Sequence, residues 1–167
     1  MQPIAEDRLG FSYLGMLDME TAMARNTFRL GVKQSSDYLE LFRIAPIVIH
    51  PATGGQRRTR PLAVAELGDG DLAFEVFMPA EGDEVPQKFI HIAESVLSKI
   101  VEMDDAARAI PSDYDDDECL AYMKIDELGN VDLHYFSSTV NSEWSVRFTP
   151  GEDGQWMCRG IVQRNRH

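Results

Sequence analysis

Hydrophobic and polar residues alternate with period two through most of the stretch from Cys119 to Val162. In Cys119–Glu127, Cys119, Ala121, Met123 and Ile125 share one face, and Leu120, Tyr122, Lys124 and Asp126 the other. Val131, Leu133 and Tyr135 oppose Asp132 and His134, while Trp144, Val146 and Phe148 oppose Ser145, Arg147 and Thr149. Trp156, Cys158, Gly160 and Val162 make the last row. Side chains on a strand point to opposite faces in turn, so each segment has one apolar face to bury. The connections at Leu128-Gly129-Asn130, Asn141-Ser142 and Pro150–Gly154 carry residues that accept the positive φ of tight hairpins. The pattern predicts a four-strand antiparallel meander over about 119–162.

Ahead of it the period changes. Phe89, Ile92, Ala93, Val96, Leu97, Ile100 and Met103 recur at spacings of three and four, which makes a single apolar stripe. Pro86 suits a first helical turn, where a missing N–H costs nothing, and Pro111 stops the chain beyond the end. One principal amphipathic helix is expected over about 86–109, laid on an antiparallel sheet in an α+β arrangement.

The first half also reads mainly as strand. Phe11–Leu17 is one candidate, and Asp18–Arg25 reads either as a short helix capped by Asp18 or as an irregular link. Phe28, Leu30 and Val32 alternate, Gln34–Asp37 is a turn, and Tyr38–Ile44 returns as the hairpin partner. Pro46 and Pro51 bracket Ile47-Val48-Ile49, which should be an edge or a separate short strand. Thr53–Arg60 reads as a loop. Leu62–Leu67 and Leu72–Met78 flank Gly68-Asp69-Gly70, a further hairpin signal. No repeat or long linker interrupts the 167 residues, so one domain (1–167) is expected, with its best seam at 79–85.

Charge changes the picture more than composition does. The net charge of −12 is concentrated: residues 61–132 carry nineteen acidic side chains against four basic ones. Residues 1–60 are net +2 and residues 133–167 net +1. Nucleic acid and anionic lipid both call for cationic surface, so neither is expected as a partner; a basic protein is. The uncharged run Leu9–Leu17 is too short to cross a bilayer and has no small-residue cleavage site. Cys119 and Cys158 read as two buried reduced thiols. These readings together place the protein in the cytoplasm.

Candidate chemistry is sparse. Asp113, Asp115 and Asp117 match the opening ligands of a calcium loop. The sixth position, where the turn needs Gly, is Glu118, and the twelfth, where a bidentate Glu belongs, is Lys124. No metal is therefore expected, and Asp113–Glu118 reads as a solvated acidic loop belonging to a binding surface. The basic run Gly54–Arg60 lacks the following helix of a phosphate loop. His50, His91, His134 and His167 are scattered, and no HExxH, GxSxG, CxxC or GxxxxGK[ST] pattern occurs, so no catalytic or cofactor-binding residue is assigned. Glu75 and Glu143 are the strongest carboxylate candidates, both at polar strand positions. Tyr135, Asn141, Glu143 and Trp144 form a local signature that is either a structural corner or a recognition spot at the sheet edge.

At Ile125–Phe148, preceded by the helix with Ile92, Ala93, Leu97 and Ile100, the chain resembles a loose set of small bacterial domains without assigned activity. These tend to end in a strand, a Gly/Asn turn, a strand with an aromatic and an Asn-x-Glu-aromatic strand, here Asn141-Ser142-Glu143-Trp144. Several are encoded beside polymorphic toxins and are taken to be immunity proteins. The resemblance covers the C-terminal half, brings no catalytic residues, and implies a protein that occludes a basic effector such as a nuclease-type toxin. Asp113, Asp115, Asp116, Asp117, Glu118, Glu143 and Trp144 are the residues expected to meet that partner. The alternatives are a small metal-assisted hydrolase using Asp/Glu clusters, or a homo-oligomeric structural or accessory protein paired through strand edges.

Overall fold

The computed structural model describes residues 34–52, 60–68, 74–110, 119–137 and 142–166. The expectations for Phe11–Leu17, Asp18–Arg25 and Phe28–Val32, the loop at 53–59, the acidic run Asp113–Glu118 and Asn141 lie outside these residues. Within them the fold is α+β: three α-helices and a seven-stranded sheet, mostly antiparallel, in the order β1 to β7 along the chain.

The first described element corrects a reading. Ser35–Ile44 is a helix, α1, not a turn and a return strand. Tyr38 and Phe42 are buried one helical turn apart, and Leu39, Leu41 and Ala45 pack partly against the same core. Four apolar residues in five positions satisfy either period, and packing chose the helical one. Asp37 in the first turn and Arg43 in the last complement the helix dipole. Pro46 then holds Ala45 extended (φ −73°, ψ 137°), which ends the helix.

Strand β1 (Ile47–His50) is an edge and pairs antiparallel with β2 (Leu62–Leu67), which pairs antiparallel with β3 (Phe74–Pro79). On β2 and β3, Ala63, Ala65, Leu67, Phe74, Val76 and Met78 turn toward the helices and are buried.

The expected single helix is two. α2 covers Gln87–Leu97 and α3 covers Ile100–Arg108, broken at Ser98 and Lys99, where Lys99 takes φ −131° and ψ 17°. Ser98 Oγ donates back to the Ser95 carbonyl at 2.7 Å, a local bond that competes with the helical ladder. The apolar stripe hides the break, because Ile100, Met103 and Ala107 are buried just as Phe89, Ala93, Val96 and Leu97 are. The gap is bridged from elsewhere: Val101 N–H in the first turn of α3 donates to Ser35 Oγ of α1 at 3.1 Å, and Lys99 Nζ donates to the Gly154 carbonyl at 3.1 Å.

Strands β4 (Cys119–Ile125), β5 (Val131–Ser137), β6 (Ser142–Pro150) and β7 (Trp156–Arg166) follow as successive antiparallel neighbours. They are not a separate four-strand meander. They are one side of the seven-stranded sheet, joined to it by a parallel pairing of β3 with β4. Bulges correct the predicted faces. Leu120 pairs with Tyr135 and Tyr122 with His134, so Ala121 is an extra residue and Leu120 joins Met123 and Ile125 in the core. On β7, Val146 pairs with Ile161 and Phe148 with Cys158, so Val162 and Arg159 are extra, and Gly160 between them takes φ 103°. Cys158, on the last strand of the sheet, is exposed and Cys119 half-buried, both free thiols, in place of two buried ones.

One polar group enters the core. Asp104 on α3 is 2% exposed; Tyr135 Oη donates to its Oδ1 at 2.7 Å, and Arg108 Nε lies 3.1 and 3.3 Å from its two oxygens. Burial, and then Asp104 itself, raise the Tyr135 phenol well above its ordinary value of 10, so it remains a donor. Trp144 stacks on Tyr135 at 4.2 Å, and Arg108 lies over the same ring at 4.9 Å. Tyr135→Phe is expected to destabilise by about 2 kcal/mol, the loss of a hydrogen bond to a charged acceptor. Asp104→Ala is expected to cost about 3 kcal/mol, since it strips both donors of their partner. Urea denaturation of the two variants measures both.

Candidate functional site

The strand faces turned away from the helices carry the remaining chemistry. Register places one row of residues straight across five strands there: Glu66 opposite Glu75, Glu75 beside Tyr122, Tyr122 opposite His134, His134 opposite Ser145. A second row holds Val48, Val64, Phe77, Lys124, Asp132 and Arg147. Among the described residues no helix covers this face.

The centre of the face is aromatic. Tyr122 stacks on His134 with ring centroids 4.3 Å apart and planes at 11°, and meets Phe77 edge-on at 5.2 Å. Burial raises the Tyr122 phenol, as do the carboxylates of Glu143 and Glu75 beside it. Glu75 and Glu143, the two carboxylates singled out by pattern, lie on the same sheet face as Tyr122, Glu75 directly beside it and Glu143 two strands away. Beside them Asp132 accepts from Arg147 Nε and Nη2 at 2.8 and 3.0 Å, a bidentate pair that raises the guanidinium further.

Two polar atoms on this face are buried with no hydrogen-bond partner among the described residues: His134 Nε2 and Ser145 Oγ. They belong to directly opposed residues, yet they do not bond one another. A nucleophilic hydroxyl must be bonded to its base and reach a substrate, whereas Ser145 is 1% exposed. The pair is no serine–histidine dyad.

At the β1 end the face hollows into a groove of about 410 Å³ lined by Pro46, Val48, His50, Leu62, Val64, Glu66, Glu75 and Phe77. Val48 is 53% exposed there. Glu66 and Glu75 face each other with no cation set against either among the described residues.

The residues expected to meet a partner are thus divided. Asp113, Asp115, Asp116, Asp117 and Glu118 lie outside the described residues. Glu143 is half-buried on the face opposite the helices. Trp144, its neighbour, points the other way and is 4% exposed, stacked on Tyr135. Arg60, at the end of the basic run, forms an ion pair with Glu127. Among the described residues no three His, Cys, Asp or Glu side chains are grouped closely enough to share a metal ion, and no helix is long and apolar enough to cross a membrane. The opposition of Glu66 and Glu75 was missed because the expected strands, Leu62–Leu67 and Leu72–Met78, set Glu66 opposite Ala73, whereas the observed register sets it opposite Glu75. The Tyr122–His134 stack continues the register in which Ile125 meets Val131 beside the turn, and the bulge at Ala121 lies beyond it.

No family model, no curated protein and no solved structure matches the chain.

Burial holds the His134 imidazole below its ordinary pKa of 6.5, partly offset by Asp132 and Glu143, with Lys124 reinforcing the depression. The unfolded chain therefore binds the proton more tightly, and stability is full above about pH 6.5 and falls as pH drops below it. His134→Phe keeps a ring against Tyr122 and removes the buried nitrogen. The difference in stability between parent and variant should be constant above about pH 6.5 and shift in favour of the variant between about pH 6.5 and 5, read from urea midpoints.

Proposed function

We propose that the protein is a binding protein of the immunity or inhibitor kind, which neutralises a basic effector protein, such as a nuclease-type toxin, by occluding it. The observation that carries this reading is the segregation of charge: nineteen acidic and four basic side chains in residues 61–132, within a chain of net charge −12. A field of one sign steers a cationic protein into encounter and disfavours nucleic acid itself. The resemblance of Ile125–Phe148 to immunity-type domains supports the same reading. So does the sheet face bearing Glu66, Glu75 and Glu143, which no helix covers among the described residues. The acidic run Asp113–Glu118 joins α3 to β4 and adds the densest charge in the sequence.

The test begins with the product of the adjacent reading frame. Co-expression with this protein should restore growth of cells carrying that product, and the purified pair should associate at a rate that falls at least about tenfold between about 50 and 500 mM salt. No complex, or a rate indifferent to salt, overturns the reading. Replacing Asp115, Asp116 and Asp117 together by Lys should slow association by about 10- to 100-fold while changing dissociation little. Unchanged affinity would remove the acidic run from the interface.

A further inference from the structure

We propose that the groove at the β1 edge of the sheet is a docking pocket for a basic side chain, arginine above lysine, presented by a protein partner; this rests on, and sharpens, the reading of the protein as a binder of basic protein. Its walls are apolar and aromatic: Val48, Val64 and Phe77, with Val48 more than half exposed. Its carboxylates are Glu66 and Glu75, on adjacent strands in direct register. The volume of about 410 Å³ falls toward the small end of the range for ligand pockets, about 300–1,000 Å³.

Like charges directly opposed across an antiparallel pair weaken it. The folded chain nevertheless keeps two carboxylates opposed here, on a hairpin whose other face is fully buried. Elsewhere on the sheet it answers a carboxylate with a cation, as Arg147 answers Asp132 two strands beyond Tyr122. Among the described residues lining the groove there is no lysine or arginine, so a positive charge with an apolar stem is what would complement it. A lysine would bring that charge to one carboxylate at a time. A guanidinium is planar, carries donors on two edges and is weakly hydrated, so it can bridge two carboxylates while its stem lies on valine and its plane on an aromatic ring. Phe77 is held for that contact by Tyr122, whose ring meets it edge-on at 75°. A bare metal ion would leave the apolar walls unused, and a neutral side chain would leave the two charges opposed.

The probe is N-acetyl-arginine-N-methylamide, titrated into the isotope-labelled full chain and followed by amide chemical shifts, with the citrulline counterpart as a neutral isostere. The arginine probe should move the amides of Val64, Glu66, Glu75 and Phe77 with saturation, and the citrulline probe should not. The double variant Glu66→Gln/Glu75→Gln should bind at least about fivefold more weakly. Being isosteric and relieved of like-charge opposition, it should unfold at or above the parent's midpoint, which shows that the fold survives. Equal response to citrulline, arginine shifts elsewhere on the chain, or a double variant that binds like the parent overturns the pocket. A dimer of this chain seen by light scattering and lost in the double variant also overturns it, by assigning the groove to a second copy. An effector complex unaffected by the double variant removes the pocket and leaves the functional reading. Specific binding of the arginine probe without any effector complex removes that reading and leaves the pocket.

Discussion

Five of the six strand pairings in the sheet are antiparallel, and the sixth, β3 with β4, is parallel. A parallel joint cannot be closed by a hairpin, because the chain must travel back along the sheet before pairing again. Helices α2 and α3 lie on that return, and their apolar sides fill one core with the strand residues facing them. α1 packs against α2 and β2, and its Ser35 receives the first turn of α3. A single change in strand direction thus gathers the described helices on one side and leaves the sheet's other face to polar and aromatic side chains.

The two faces treat charge differently. On the helix side, among the described residues, the buried carboxylate is Asp104, where Tyr135 and Arg108 supply donors. That arrangement also holds Trp144 against Tyr135 and so ties β5, β6 and α3 together. On the opposite side the carboxylates are set among aromatic rings and apolar side chains. Asp132 has its arginine, but Glu66 and Glu75 have each other. A sheet is a stiff support, and side chains in one row hold their spacing to within the register of the strands. For a protein read as a binder, such a surface meets its partner already ordered, at little entropic cost.

Much of the fold was legible, and the failures have identifiable causes. Alternation located β4 through β7, a glycine-rich turn located β2 and β3, and the prolines around Ile47-Val48-Ile49 pointed to an edge strand, because period and backbone chemistry are local properties. Tyr38–Ile44 was misread because its apolar residues fit both periods over so short a run, and only Tyr38 against Phe74 at 5.3 Å and its neighbours decided the matter. The break at Ser98 was invisible because the apolar stripe continues in phase across it. The bulges at Ala121, Arg159 and Val162 moved residues between faces, and a bulge depends on the partner strand as much as on its own. Of the candidate site, Glu75 and Glu143 were recognised singly; Tyr122 beside Glu75, and Glu66 opposite it, were not.

Composition and local periodicity by themselves determined the α+β class, the concentration of negative charge and which residues seek burial. These follow from side-chain hydrophobicity and from the two repeat distances of helix and strand. Only the tertiary structure decided that β4 joins β3 in parallel, that Leu120 joins the core in place of Cys119, and that Glu66 meets Glu75. Each of these is a relation between segments distant along the chain or a matter of pairing register. A register is chosen by the packing of a whole face, not by the residues of any one strand.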